Sequence, residues 1–112
     1  MLFRSHSTIR RAEEFVHPQL VEQVARAADP RISQVAAVGV PDPSLGQRVV
    51  VVVVPERGEL KESIRNDVDN RLAAADMPCD ELVISRRPLR VDPRHNQKID
   101  YDNVRAWLGR RG

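Results

Sequence analysis

Six consecutive valines, Val49 to Val54, limit the folds open to this chain more than any other stretch. β-Branched side chains are stiff at χ1 and favour a strand. Successive side chains of a strand point to opposite faces, so a run of valines has no polar face. Such a strand must be central and covered on both sides. Left open, it would invite edge pairing and aggregation. A second apolar run, Val35-Ala36-Ala37-Val38-Gly39-Val40, precedes it. Between the two lies Pro41-Asp42-Pro43-Ser44-Leu45-Gly46-Gln47, whose prolines and glycine mark a structured turn. Strands over Ile32–Val40 and Arg48–Val54 are therefore expected to pair antiparallel.

Helical spacing appears on either side. Pro18 suits a first helical turn, and Leu20, Val21, Val24, Ala27 and Ala28 follow at helical intervals up to Asp29-Pro30. Leu60, Ile64, Val68, Leu72 and Ala75 form one stripe of a second helix, ended at Met77-Pro78. Leu82-Val83-Ile84 reads as a short strand. A last helix starts near Asp100 or Asp102, either of which can cap it. Val104, Trp107 and Leu108 give it an apolar face, and Gly109 is expected to end it. The pattern predicts an α+β domain, with a small three-stranded sheet packed by about three helices. Residues 1–17 form an extended lead-in and residues 18–112 the folded body.

Aromatic residues make up 4% of the chain, so the core must be aliphatic. A net charge of +2 argues against a nucleic-acid module, which concentrates a clear basic excess. Cys79 is the one cysteine, which excludes an internal disulfide. His6, His17 and His95 do not fall at metal-ligand spacing, so no metal site is expected. The apolar run at the start is too short for a signal peptide. No stretch approaches the roughly 20 apolar residues of a membrane span. A cytoplasmic protein is the expectation.

Candidate chemistry gathers near the end. Pro93-Arg94-His95-Asn96-Gln97-Lys98-Ile99-Asp100 follows the last predicted strand and precedes the last helix. A lysine in such a loop presents a mobile point charge to a phosphate or carboxylate oxygen. Arg86, Arg87, Arg90 and Arg94 lie near it, and Arg110 and Arg111 form a second basic pair further on. An arginine cluster is commonly a solvated face, but this position beside Lys98 favours a role near phosphate.

Several ordered segments together resemble the C-terminal lid domain of the adenylate-forming superfamily, the AMP-dependent acyl-CoA synthetases and ligases. Ile9 to Pro18 resembles the family's hinge-proximal Ile-Lys-x-Gly-Gly-Glu-x-Val-x-Pro pattern, which Glu14, Val16 and Pro18 keep. Glu22 matches an acidic residue usual in the next helix. Val35 to Gly46 is similar to the Ala-Ala-Val-Val-Gly-Val-Pro-Asp-x-x-x-Gly segment, the most specific match. Pro88 to Ile99 resembles the segment that carries the catalytic lysine, with Lys98 at the lysine position. The form Asp-Pro-Arg-His-Asn-Gln-Lys-Ile-Asp is similar to a subgroup that includes fatty-acid-type ligases and β-lactone-forming relatives.

The resemblance implies a mechanism. Such enzymes use ATP to activate a carboxylic acid as an acyl-adenylate, and most then pass the acyl group to the thiol of CoA. Lys98 would bridge the carboxylate and the α-phosphate, with Arg94, His95 and Asn96 shaping the loop. His6 would take the hinge position, and Arg4 the nearby position close to the ribose. ATP with Mg and CoA are implied for the full enzyme, and none of them for this domain alone. The required partner is the large AMP-binding domain, with a carboxylic acid as substrate. The chain departs from the pattern in four ways, the first being His6 where the family's hinge residue is usually Asp or Lys. It has no Gly-rich phosphate loop. The two glycines of the CoA-channel loop are Ala12 and Glu13, before Glu14. The glycine before the lysine is Gln97. A non-catalytic interaction module derived from such a ligase is the alternative.

Overall fold

The structure is a computed structural model that describes residues 8–59, 61–95 and 98–111. Its elements run β1 (Ile9–Arg11), β2 (Glu14–Val16), α1 (Pro18–Ala27), β3 (Ile32–Asp42), β4 (Gly46–Pro55), α2 (Lys61–Ala74), β5 (Glu81–Ile84), β6 (Val91–Asp92), β7 (Lys98–Ile99) and α3 (Tyr101–Arg111). A 3-10 turn, Pro93–His95, follows β6. The fold is α+β. No helix among the described residues is long and apolar enough to cross a membrane.

The valine strand β4 is central, as its sequence demands. It pairs antiparallel with β3 from Ile32↔Pro55 to Asp42↔Gly46, and parallel with β5 from Val50↔Glu81 to Val53↔Ile84. A parallel neighbour needs a crossover, and α2 supplies it. The alternation of β4 sorts the core into two layers. Val49, Val51 and Val53 pack with Val21 and Ala25 of α1 and with Ile64, Val68 and Leu72 of α2. Val50, Val52 and Val54 pack with Val83, Leu89, Val104 and Leu108 on the α3 side. All six valines are at most 5% exposed, which is why none could be polar.

The β3–β4 turn is set by its own residues. The Asp42 carboxylate accepts from the backbone N–H groups of Ser44 and Leu45 at 2.8 and 2.9 Å. Gly46 sits at φ +81°, a left-handed conformation that glycine adopts without cost. At the far end of the sheet, buried Asp29 accepts from the backbone and guanidinium of Arg31. Arg31 also donates to Ser63 Oγ at 2.9 Å, joining the end of α1 to α2.

Several expectations need correction. The main sheet has five strands, in the order β2-β1-β4-β3 with β5 on β4, and β6 and β7 form a separate two-stranded ribbon. The four added strands are two or three residues long, too short for a period of two to register in the sequence. On α1, Leu20 is 47% exposed and Ala27 is exposed, because Pro18, Val21 and Ala25 set the buried side. Leu20 lies one residue, or about 100°, from Val21 around the helix. Asp100 caps α3 by accepting from the Asn103 N–H at 3.1 Å. Gly109 does not end that helix, which continues to Arg111.

Candidate functional site

Lys98 stands on β7, where it pairs with Asp92 across the β6–β7 ribbon, and its side chain is exposed. The next residue, Ile99, packs on the α3-side core. Strand alternation therefore anchors the ribbon through Ile99 and turns Lys98 outward. Two further contacts fix the ribbon. The Asp100 N–H donates to the Arg90 carbonyl at 2.8 Å, and the Asp92 carboxylate accepts from the Arg94 N–H at 3.0 Å. Arg94 is 84% exposed on the 3-10 turn, its Nε 3.5 Å from Asp92. The backbone of His95 completes that turn. The structure thus brings Arg94, His95 and Lys98 onto one small ribbon. Asn96 in the same loop, the hinge candidate His6 and the ribose-proximal candidate Arg4 lie outside the described residues.

The other predicted loop is a hairpin. β1 and β2 pair as Ile9↔Val16, Arg10↔Phe15 and Arg11↔Glu14, which leaves Ala12 and Glu13 as a two-residue turn. Ala12 has φ +55°, in the left-handed region that suits glycine. Glu13 and Glu14 are exposed. The turn docks on the β3–β4 turn through the Ala12 N–H, which donates to the Leu45 carbonyl at 2.7 Å. The Arg10 N–H donates to Gln47 Oε1, also at 2.7 Å. Gly39 makes this docking possible, since a Cβ there would come within 2.7 Å of Gln47 Nε2 and 3.0 Å of Ile9 Cγ2. The hairpin belongs to the main sheet and Lys98 to the separate ribbon.

Sequence reasoning missed the clamp behind the hairpin. The Arg11 guanidinium forks onto Asp80, with Nε to Oδ2 at 2.9 Å and an NH2 group to Oδ1 at 2.8 Å. Asp80 Oδ2 also accepts from the Val49 N–H at 2.7 Å. One carboxylate thus joins β1, β4 and the start of β5. The Arg11 hydrogen bonds hold the Asp80 carboxyl below its ordinary range. A second missed group is Tyr101. Its hydroxyl donates to Glu22 at 3.0 Å, while Glu22 accepts from the Ala37 N–H at 2.9 Å. Burial and the neighbouring Glu22 push the Tyr101 phenol well above its ordinary value. The acidic residue usual in the helix after the hairpin was the only hint of Glu22, and nothing local marked Asp80.

Comparison with known proteins decides the family. The model of the AMP-binding enzyme C-terminal domain matches residues 20–89. The chain belongs to that family. No curated protein matches it. Among solved structures it is similar to the Mycobacterium tuberculosis fatty acyl CoA synthetase, with 26% identity over 89% of this chain and a TM-score of 0.68. It is similar to the amide bond synthetase of Marinactinospora thermotolerans, with 30% identity over 95% of this chain and a TM-score of 0.70. The Brucella canis acyl-CoA synthetase shares the fold over 99% of this chain, at 23% identity and a TM-score of 0.73. The chain covers 19%, 21% and 21% of these three, about a fifth of each. It therefore corresponds to the small C-terminal part of an adenylate-forming enzyme. The family match ends at residue 89, nine residues before Lys98.

Proposed function

We propose that this C-terminal domain is the lid of an acid–CoA ligase and supplies Lys98 to the adenylation step. The observation that carries the reading is the exposed Lys98 on a ribbon whose backbone is held by Asp92 and Asp100. Two anions, the carboxylate and the α-phosphate, must approach each other in that step. A cation already positioned at their meeting point stabilises the charge developing there and holds the reactants in line. Arg94 on the same turn adds a second cation, and His95 and Asn96 shape the loop. His6 would form the hinge and Arg4 would approach the ribose. Residues 1–17 would then be the hinge-bearing lead-in and 18–112 the lid body. ATP with Mg, CoA and the carboxylic acid would be held by the large AMP-binding domain, and the lid is inactive without it. Fatty-acid-type acids in the cytoplasm are the first substrates and setting to examine.

The left-handed Ala12 and the exposed Glu13 favour a second reading for the thioester step alone. A glycine-type backbone is kept at Ala12, but two side chains replace two hydrogens at the tip. On that ground the CoA half-reaction is slower than adenylation. The alternative is a non-catalytic module derived from such a ligase.

Pyrophosphate release tests the adenylation role of Lys98 against the non-catalytic module. The chain is mixed with AMP-binding large domains from the same genome, ATP, Mg and a panel of carboxylic acids. Release should require both chains and fall by at least about a hundredfold in Lys98→Ala, the scale on which charge-stabilising groups act. Release at a near-native rate without Lys98 refutes its role. No release with any partner leaves the non-catalytic module.

A further inference from the structure

An open groove of about 460 Å³ runs between the connection after β5 and helix α3. On the helix it is lined by Asn103, Trp107 and Arg110, which recur every three or four residues and so share one side. From 103 to 110 the helix rises about 10 Å, so the groove follows roughly two turns. Opposite stand Arg86, Arg87 and Arg90, all exposed, as is Arg110. Among the described residues that line it, none is acidic. Four cations gather here in a chain whose net charge is only +2. The bottom is apolar, formed by Val83, Val104 and the half-buried Trp107. Arg94, also in the basic cluster, is not part of the groove.

We propose that this groove docks an acidic, amphipathic segment of a partner protein, with apolar side chains on Trp107 and carboxylates on the arginine rim. The inference does not depend on the reading of Lys98. The charge distribution selects this occupant. Arginine forks pair bidentately with carboxylates, and tryptophan and arginine are the side chains that dominate protein interfaces. The cations stand along a rim about two helical turns long, above an apolar floor. A small phosphate would leave that floor unused, and no Gly-rich phosphate loop is present to hold one.

Trp107 is the sole tryptophan, so its emission reports occupancy. The 112-residue chain is titrated with a blocked hexapeptide of four glutamates and two leucines. A saturable change in Trp107 emission is expected. Its midpoint should weaken at least about tenfold between low and physiological salt, because exposed charges are screened. Arg87→Glu combined with Arg90→Glu should weaken it by at least tenfold as well, whereas Arg57→Glu, outside the groove, should not change it. The absence of a saturable change at millimolar peptide would overturn the proposal. So would equal binding of a peptide with serines in place of leucines, or of one with lysines in place of glutamates. Inorganic tripolyphosphate that binds more tightly and displaces the peptide would make this a small-anion site and also overturn it.

Discussion

Replacing Asp80 with alanine tests how the hairpin is held. Asp80 accepts the Arg11 fork and, on the same Oδ2, the N–H of Val49. Val49 is fully buried, so its orphaned N–H would lose a charged acceptor. A hydrogen bond to a charged group is worth about 1.5–3 kcal/mol. The Arg11 side chain is 26% exposed and that of Asp80 18% exposed, so the ion pair itself adds about 0.2–1 kcal/mol. Asp80→Ala should therefore cost about 2–4 kcal/mol, out of a total stability of about 5–15 kcal/mol. At about 4 °C per kcal/mol for a domain of this size, Tm should fall by about 8–16 °C.

Two companions separate the contributions in urea denaturation. Asp80→Asn keeps an oxygen for Val49 but loses the charge, and should cost about 1 kcal/mol. Arg11→Met removes the ion pair with Asp80 and a longer one with Glu14 but leaves the Val49 hydrogen bond, and should cost about 1 kcal/mol. Acid adds a check of sign. Because Arg11 lowers the Asp80 pKa on folding, the charged form favours the native state. That stabilisation is complete above the ordinary carboxylate value of about 3.9 and is lost as pH falls through the lowered folded value. The gap between wild type and Asp80→Asn should close on acidification. If Arg11→Met costs as much as Asp80→Ala, or the gap widens in acid, the Val49 argument is wrong.

Ala12→Gly should stabilise the chain by about 0.5–1 kcal/mol in urea, since left-handed alanine costs about 1–2 kcal/mol and glycine returns part of that as chain entropy. Burial pushes the Cys79 thiol up to about 11. A disulfide reagent at pH 8 should therefore react about a hundredfold more slowly with the native chain than with the urea-unfolded one, where the thiol returns to about 8.5. Tyr101→Phe should cost about 1 kcal/mol through the lost hydrogen bond to Glu22. In the wild type the single tyrosine should stay un-ionised above pH 10 while the chain is folded, and stability should fall as pH rises further, because the unfolded chain ionises first. Ionisation near 10 in the folded chain would show the phenol to be exposed.

The legible parts of this fold are those written in local pattern. Val49 to Val54 could be read as a doubly covered central strand from side-chain shape alone, and the Ile64, Val68 and Leu72 stripe of α2 from spacing. The hidden parts are written across distance. Arg11 and Asp80 lie 69 residues apart, and neither position differs locally from any solvated charge. The strands β1, β2, β6 and β7 are made by partners rather than by propensity, because two or three residues cannot carry a period. Gly109 misled for a related reason: it keeps helical backbone in open space, and glycine in a helix interior costs only about 1 kcal/mol, which the Val104 and Leu108 packing offsets.

The same distinction bears on function. Lys98 could be singled out because its surroundings are sequential, from Asp92 through the turn to Asp100, and the ribbon built from those residues is what orients it. The basic cluster was equally visible, but the sequence could not divide it. Folding sends Arg86, Arg87 and Arg90 to the groove with Arg110 of α3, and leaves Arg94 on the Lys98 ribbon. One stretch of positive charge thus becomes two surfaces with different floors, a polar turn and an apolar groove. On the two proposals, the polar turn with Lys98 would meet a small charged substrate delivered by another domain. The groove floored by valines and tryptophan would take a chain that brings its own apolar side chains, so the two surfaces would be occupied and mutated independently.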